Sequence, residues 1–114
     1  MLNKKSLGQY GERIALSYYQ KLGYKLITQN YYSRYGELDL VLKKDNKITV
    51  VEVKTRYGPQ FYWPEESISN KKINNIYITY QLLARQEKLS EFFYLDAFII
   101  EINGSKAKIR RYQI

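Results

Sequence analysis

The segment GELDLVLKKDNKITVVEVKTR, residues 36–56, constrains the fold more than any other part of the chain. It predicts two strands, over residues 36–43 and 47–56, joined by a two-residue turn at Asp45-Asn46. Because the side chains of a strand alternate between its two faces, one face of this hairpin is almost wholly apolar. That face carries Leu38, Leu40, Leu42, Thr49, Val51 and Val53. A slip of one residue would move charged side chains into the core, so the pattern fixes the register.

The other face of the hairpin carries three carboxylates and a lysine beside two valines. If the residues that flank the turn pair with each other, Asp39 lies opposite Glu52 and Glu37 lies opposite Lys54. Opposed residues have Cβ atoms about 4.5–5.5 Å apart, and like charges at that distance destabilise the sheet. The residue types alone leave two interpretations open. Either the face is solvated and Glu37 forms an ordinary ion pair with Lys54, or Asp39 and Glu52 bind a hard cation such as Mg²⁺ or Mn²⁺.

Two amphipathic helices are predicted from apolar residues spaced three and four apart. The first covers residues 4–22 and ends before Gly23, and its apolar face comprises Leu7, Gly11, Ile14, Ala15, Tyr18 and Leu22. The second begins after the N-cap Ser69 and runs to about residue 86. Its apolar face comprises Ile73, Ile76, Tyr77, Tyr80, Leu83 and Ala84. Gly11 and Ala15 form a ridge of small residues that would let the first helix approach a sheet closely.

Three further strands are predicted over residues 24–31, 91–102 and 106–112, the last two joined at Asn103-Gly104. Residues 57–66, YGPQFYWPEE, are typical of an aromatic loop. The element order is therefore α-β-β-β-α-β-β in one domain, residues 1–114. This order predicts an α/β fold with a mixed sheet flanked by helices.

The chain is basic, and two reactive residue types are missing from it. Lys and Arg number 19 against 11 Asp and Glu, and the net charge of +8 indicates a polyanionic partner or serves solubility. The lack of Cys and His excludes disulfides, zinc fingers, thiol nucleophiles and imidazole bases. Catalysis would therefore depend on carboxylates, Lys, Tyr, Ser or Thr. The sequence contains neither a membrane-spanning apolar run nor the apolar core of a signal peptide, so we expect a cytoplasmic protein without a membrane partner.

Asp39, followed by Glu52-Val53-Lys54 on the next strand, resembles the PD-(D/E)XK nuclease signature. Glu12 in the first helix is similar to an acid of archaeal Holliday junction resolvases. Over nearly its full length the chain resembles the YraN-like family of small bacterial proteins, which are predicted to share the restriction-endonuclease-like fold. The matching segments are Gly11-Glu12 with Ala15, Gly23-Tyr24, Asn30, GELDL (36–40), VEVKTR (51–56), Glu65-Glu66-Ser67, Lys71 and Asp96. Tyr32 departs from the Arg that is usual in the family.

This resemblance implies a metal-dependent endonuclease that hydrolyses the phosphodiester bonds of a nucleic acid, with DNA as the expected substrate and RNA left open. It implies that Asp39 and Glu52 bind Mg²⁺ or Mn²⁺ and that Lys54 is the catalytic lysine. Glu12 would be either a metal ligand or an acid beside one. The similarity to the resolvases further implies branched DNA as the substrate and a homodimer as the assembly.

Phosphate contacts are expected from basic residues near the hairpin: Arg34, Arg56, Lys71 and Lys72, with Arg110 and Arg111 further along the chain. Lys71 and Lys72 fall in the first turn of the second helix, where the helix dipole favours an anion. Phe61-Tyr62-Trp63 would stack on unpaired bases or pack within the protein. Two rival functions stay open. One is a non-catalytic DNA- or RNA-binding module that keeps the fold, and the other is a scaffold whose basic surface meets an acidic protein.

Overall fold

A computed structural model of the protein describes residues 2–58 and 68–114. In chain order the elements are α1 (Lys4–Lys21), β1 (Lys25–Ser33), β2 (Gly36–Lys44), β3 (Lys47–Tyr57), α2 (Asn70–Glu87), β4 (Tyr94–Asn103) and β5 (Lys106–Gln113). The predicted order α-β-β-β-α-β-β is confirmed. The predicted aromatic cluster Phe61-Tyr62-Trp63 and the segment Glu65-Glu66-Ser67 lie outside the described residues.

The five strands form one mixed sheet in the order β1-β2-β3-β4-β5. Neighbouring strands run antiparallel except β3 and β4, which are parallel. Parallel neighbours need a long crossover connection, and α2 lies in the chain segment that makes it. This topology confirms the mixed α/β class and places β1 and β5 at the edges of the sheet.

A two-residue turn joins β2 to β3, as predicted. Asp45 and Asn46 both have left-handed backbone conformations, with φ of +52° and +63°. Asp and Asn tolerate this conformation, and hairpin turns of this length favour it. Lys44 pairs with Lys47 across the turn, and the same register continues over five pairs of residues. The predicted register is therefore confirmed for the part of the hairpin next to the turn.

Helices cover both faces of the sheet. The buried residues of α1 and of the sheet face that it covers are Ala15, Tyr19, Leu40, Leu42, Val51, Phe98 and Ile100. Those of α2 and of the sheet face that it covers are Leu38, Val41, Ile48, Val50, Ile76, Tyr80, Leu83, Ala84 and Leu95. Burial on both faces explains the nearly continuous apolar runs of the central strands. Neither of the described helices is long and apolar enough to cross a bilayer.

The side chains of the hairpin do not divide between its two faces as predicted. Val41 and Val50, on the face that also carries the predicted charges, are fully buried beneath α2, so a wholly solvated face is excluded. Leu38 packs beneath α2 whereas Leu40 packs beneath α1, and the prediction that they share one face is wrong. The regular alternation of β2 therefore does not continue through Asp39, which lies between these two leucines.

The close approach of α1 to the sheet depends on Gly11. A Cβ atom at this position would overlap the side chain of Thr55 on β3. Gly11 and Ala15 are both buried, which confirms the predicted ridge of small residues. The prediction for Leu22 is wrong: it follows the last residue of α1 and is exposed, and Tyr19 occupies the buried position instead.

Candidate active site

Asp39 lies at the point where β2 and β3 separate. In the described hairpin the paired positions end at Leu40–Val51, so Asp39 and Glu52 are not the directly opposed pair that the register predicts. Instead, Asp39 Oδ2 accepts a hydrogen bond of 2.8 Å from the backbone N–H of Val53. This contact holds the Asp39 carboxylate in the opening between the two strands, next to Glu52.

Glu52 is the most buried acid near this opening, with 3% of its surface exposed. Its Oε2 has no hydrogen-bond partner among the described residues. Its Oε1 lies 4.0 Å from the ammonium group of Lys72. Burial raises the pKa of Glu52 to about 9, with further contributions from the charge of Asp39 and a hydrogen bond to it. At neutral pH the two neighbouring carboxyl groups therefore hold a proton between them, which a bound cation would displace.

A second pair of acids flanks Asp39. With the Asn30 amide oriented to donate, its nitrogen lies 3.2 and 3.3 Å from the two carboxylate oxygens of Glu12 and 2.8 Å from Oε1 of Glu37. Burial, and then the charge of Asp39, raises the pKa of both Glu12 and Glu37. The negative charge of Asp39 therefore raises the pKa of three acids, Glu12, Glu37 and Glu52. We refer to Glu12, Glu37, Asp39 and Glu52 as the acid group.

Two residues that contact the acid group are missing from the predicted site, Asn30 and Tyr32. Asn30 lies on β1 with a left-handed backbone, φ +52°, which Asn adopts more readily than most residues. The exposed Tyr32 donates a hydrogen bond from its hydroxyl to Glu37. The sequence carries no local signal for either role, because Asn30 and Tyr32 fall within or beside an ordinary strand pattern. Glu37 contacts these two residues, whereas the prediction pairs it with Lys54.

Positive charge near the acid group comes from β3 and from α2. Lys54 lies two residues beyond Glu52 on β3, on the same side of the strand, and is half-buried. Lys71 and Lys72 lie in the first turn of α2, which Ser69 caps by accepting the backbone N–H of Lys72 at 3.1 Å. Both lysines line a cleft of about 260 Å³ between this turn and the start of β2.

Arg34 and Arg56, two of the four arginines predicted to contact phosphate, lie in different environments. Arg34 is exposed in the β1–β2 turn, with its guanidinium 5.0 Å from the centre of the Tyr35 ring. Tyr35 lines the cleft beside α2, so Arg34 borders that cleft. Arg56 instead pairs with Glu101 at 3.3 Å, and both side chains are mostly buried. Arg56 is therefore held in an internal ion pair, which argues against its predicted phosphate contact.

Comparison with known proteins identifies the family. Residues 11–102 match the family described as "Uncharacterised protein family UPF0102". The chain belongs to this family. A UPF0102 protein of Syntrophomonas wolfei subsp. wolfei is 49% identical over 72 residues, which cover 63% of this chain and 63% of the relative. A UPF0102 protein of Clostridium botulinum (strain Loch Maree) is 38% identical over 98 residues, which cover 86% of this chain and 80% of the relative.

The UPF0102 match confirms the resemblance to the YraN-like family. The matched range runs from the middle of α1 into the end of β4. It therefore includes every member of the acid group as well as Lys54.

The carboxylate oxygens of Asp39 and Glu52 are of the type that hard divalent cations prefer as ligands. Mg²⁺ and Mn²⁺ prefer carboxylate oxygens, and Mg²⁺ sites commonly use one or two carboxylates and several water molecules. The buried Oε2 of Glu52 has no partner in the described part of the chain, so it is available as a ligand. Residues 2–58 and 68–114 contain no cluster of three acidic side chains that could enclose a metal. Water, backbone carbonyl or phosphate oxygens would therefore complete the coordination.

Proposed function

We propose that this chain is a metal-dependent nuclease that hydrolyses phosphodiester bonds in DNA. The observation that supports this best is the pair of Asp39 and Glu52, in which Glu52 is 3% exposed and has a buried oxygen without a partner among the described residues. Burying a charged group without compensation is strongly unfavourable, and a second negative charge beside it adds to the penalty. A divalent cation between the two carboxylates would compensate both charges at once.

In this proposal the side chains have distinct roles. Asp39 and Glu52 would hold Mg²⁺ or Mn²⁺, and Asn30 would fix Glu12 beside them. When bound, the cation supplies Lewis-acid stabilisation of the negative charge that develops on the phosphoryl group. Lys54 would orient the attacking water and offset charge on the scissile phosphate. Water would attack phosphorus and give up a proton, the P–O ester bond would break, and the leaving oxygen would take up a proton.

The basic residues around the cleft support a nucleic acid as the substrate. Lys71 and Lys72 line the cleft that also contains Glu37, and Arg34 lies over the ring of Tyr35, which lines the same cleft. These three residues would contact phosphate oxygens without reading the base sequence. The 18-residue helix α2 begins at this cleft, and its N-terminal N–H groups and dipole favour an anion. The similarity to the resolvases extends the proposal to branched DNA and to a homodimer.

A non-catalytic DNA- or RNA-binding module is the second candidate. One observation favours it: the raised pKa of Glu52 lets a proton bridge Asp39 and Glu52 in the absence of metal. In that case the carboxyl pair would be structural, and the basic residues alone would bind nucleic acid.

Cleavage assays distinguish these two candidates. The wild type is incubated with single-stranded, duplex, flapped and four-way DNA in Mg²⁺, in Mn²⁺ and in EDTA. Asp39→Asn removes one metal ligand with little change in volume, and Glu91→Gln, at an exposed acid, is the matched control. We expect metal-dependent cleavage by the wild type and by Glu91→Gln but not by Asp39→Asn. Binding of DNA by all three proteins, without cleavage by any, would support the non-catalytic module instead.

A further inference from the structure

The β2–β3 turn and its neighbouring strand end carry two opposed pairs of lysines. Lys25 on β1 lies directly opposite Lys43 on β2, and Lys44 on β2 lies directly opposite Lys47 on β3. Like charges at directly opposed positions destabilise a sheet. These two pairs occupy neighbouring positions at one end of the sheet, and because side chains alternate along β2 they project from its two faces. We call Lys25, Lys43, Lys44 and Lys47 the hairpin-end basic patch.

Little negative charge faces this patch. Two clefts adjoin it, of about 340 and 590 Å³, and the acids that line them are Asp45 and Asp96. Asp96 is buried and already accepts a hydrogen bond of 2.7 Å from Tyr19 and pairs with Arg111 at 3.0 Å. Among the residues that line these clefts, Asp45 is therefore the one exposed acid beside the four lysines.

Two of the lysines are held in place by aromatic rings. The Lys44 ammonium lies 5.3 Å from the centre of the Tyr24 ring, and the Lys47 ammonium lies 5.9 Å from that of Tyr94. Cation–π contacts at these distances favour a defined position for each ammonium group. The tight two-residue turn fixes the backbone between them. The four lysines of the patch therefore form a cluster of positive charges that does not stabilise the sheet.

We infer that the hairpin-end basic patch is a second phosphate-binding surface, which holds the backbone of a nucleic acid at a distance from the acid group. The inference rests on the nucleic-acid part of the proposed function and does not require the hydrolytic part. Bound phosphates would neutralise the opposed lysines and remove their repulsion. Such contacts position a nucleic acid without reading its sequence.

The fold allows one nucleic acid to contact both surfaces. Asp39 and Lys44 are five positions apart on β2, which is about 17 Å of strand and about five base pairs of duplex. The edge strand β1 runs from Lys25, in the patch, past Asn30, which contacts the acid group. Apart from Glu12 on α1, the patch and the acid group therefore both lie on the same side of the sheet's middle, on strands β1 to β3.

Binding of a DNA duplex at several salt concentrations tests this inference. Measurements in EDTA prevent cleavage, and fluorescence anisotropy gives the affinity of a labelled duplex for the wild type and two double variants. Lys44→Gln/Lys47→Gln removes two charges from the patch. Lys106→Gln/Lys108→Gln removes two exposed charges from β5, at the opposite edge of the sheet, and is the matched control. Melting temperatures confirm that both variants fold.

We expect the patch variant to bind the duplex about five- to tenfold more weakly and to reduce the slope of log affinity against log salt by about 1 to 2, at roughly 0.9 per phosphate contact. The β5 control should change both quantities much less. Equal losses in the two variants, or unchanged binding by the patch variant, would overturn the inference and leave the proposed function intact. Failure of the wild type to bind any DNA or RNA would overturn the proposed function itself. Patch-dependent binding to polyglutamate but not to nucleic acid would overturn the inference in favour of an acidic protein partner.

Discussion

Asp96 on β4 and Glu52 on β3 are buried to nearly the same degree, 4% and 3% exposed, but their surroundings differ. Asp96 Oδ2 accepts a hydrogen bond of 2.7 Å from the Tyr19 hydroxyl and pairs with Arg111 at 3.0 Å. The guanidinium of Arg111 also lies 4.7 Å from the centre of the Tyr19 ring. Arg111, predicted to contact phosphate, therefore serves this internal network.

Glu52 has the opposite surroundings. Its immediate neighbour is another carboxylate, that of Asp39, and one of its own oxygens has no partner among the described residues. The nearest cation is Lys72, at 4.0 Å, on a side chain that is about half exposed. Asp96 shows how this fold satisfies a buried acid that stabilises it. The lack of such partners at Glu52 among the described residues supports the proposal that this position holds a ligand, since residues placed for function commonly break local rules.

The largest expected effect separates these two acids in a cleavage assay. Glu52→Gln removes a proposed metal ligand at nearly constant volume, and we expect metal-dependent cleavage to fall by about 100- to 1,000-fold, as when an enzyme loses one group that stabilises its transition state. Asp96→Asn should keep most of the activity at a temperature where it is folded. Initial rates on the best substrate measure both variants. Equal loss of activity in the two would contradict the distinction between these acids.

The free energy of unfolding should respond in the reverse order, with the larger loss from Asp96→Asn. Asp96→Asn should lower the free energy of unfolding by about 3 kcal/mol, because it removes the charged partner of Arg111 and weakens the hydrogen bond from Tyr19. Glu52→Gln should leave it unchanged or raise it, since Gln is neutral beside Asp39 at every pH and needs no bound proton to be buried there. Urea denaturation in EDTA measures both changes. A loss from Glu52→Gln as large as that from Asp96→Asn would make both acids structural.

A smaller effect is expected at Asn30. Asn30→Gly keeps the left-handed backbone conformation and deletes the amide that contacts Glu12 and Glu37. We expect Mn²⁺ affinity to fall by about tenfold, as for residues that orient metal ligands. Asn46→Gly, at another left-handed position in the β2–β3 turn, is the matched control and should bind Mn²⁺ like the wild type. Wild-type affinity in Asn30→Gly would remove Asn30 from the site.

A separate expected effect is a pH dependence of stability that comes from Glu52. Because its pKa is raised from 4.5 to about 9 in the folded state, the folded protein keeps a proton that the unfolded chain releases. The stability that this proton provides is full below the unfolded pKa and is lost as pH rises through the folded pKa. Glu52→Gln cannot titrate at this position. In EDTA, the wild type should therefore lose stability relative to Glu52→Gln between pH 5 and pH 9, and a constant difference would contradict the raised pKa.

Much of this fold could be predicted from the sequence because local patterns determine it. Strand alternation and a two-residue turn leave one register for the hairpin, and the pairing of Lys44 with Lys47 follows from it. The helix pattern also predicts that Gly11 lies against the sheet. These features depend on residues close together in the chain.

The details of the candidate site depend on contacts between distant residues. The hairpin pattern predicts that Asp39 and Glu52 oppose each other, but it cannot show that the strands separate there and that Asp39 accepts the N–H of Val53. Composition predicts a basic protein, but it cannot show that Arg56 is held by Glu101. That pairing exists because the crossover places β4 parallel to β3, with the two residues side by side.

Titration calorimetry with Mn²⁺ tests the central claim most directly, because it needs no knowledge of the nucleic-acid substrate. We predict that each wild-type chain binds one Mn²⁺ at neutral pH and releases a proton as it does so, since the raised pKa of Glu52 means that metal and proton compete. Asp96→Asn should bind Mn²⁺ as the wild type does, and Glu52→Gln should show no measurable binding. A wild type that binds no Mn²⁺, or a Glu52→Gln variant that binds it undiminished, would contradict the assignment of Asp39 and Glu52 as a metal site.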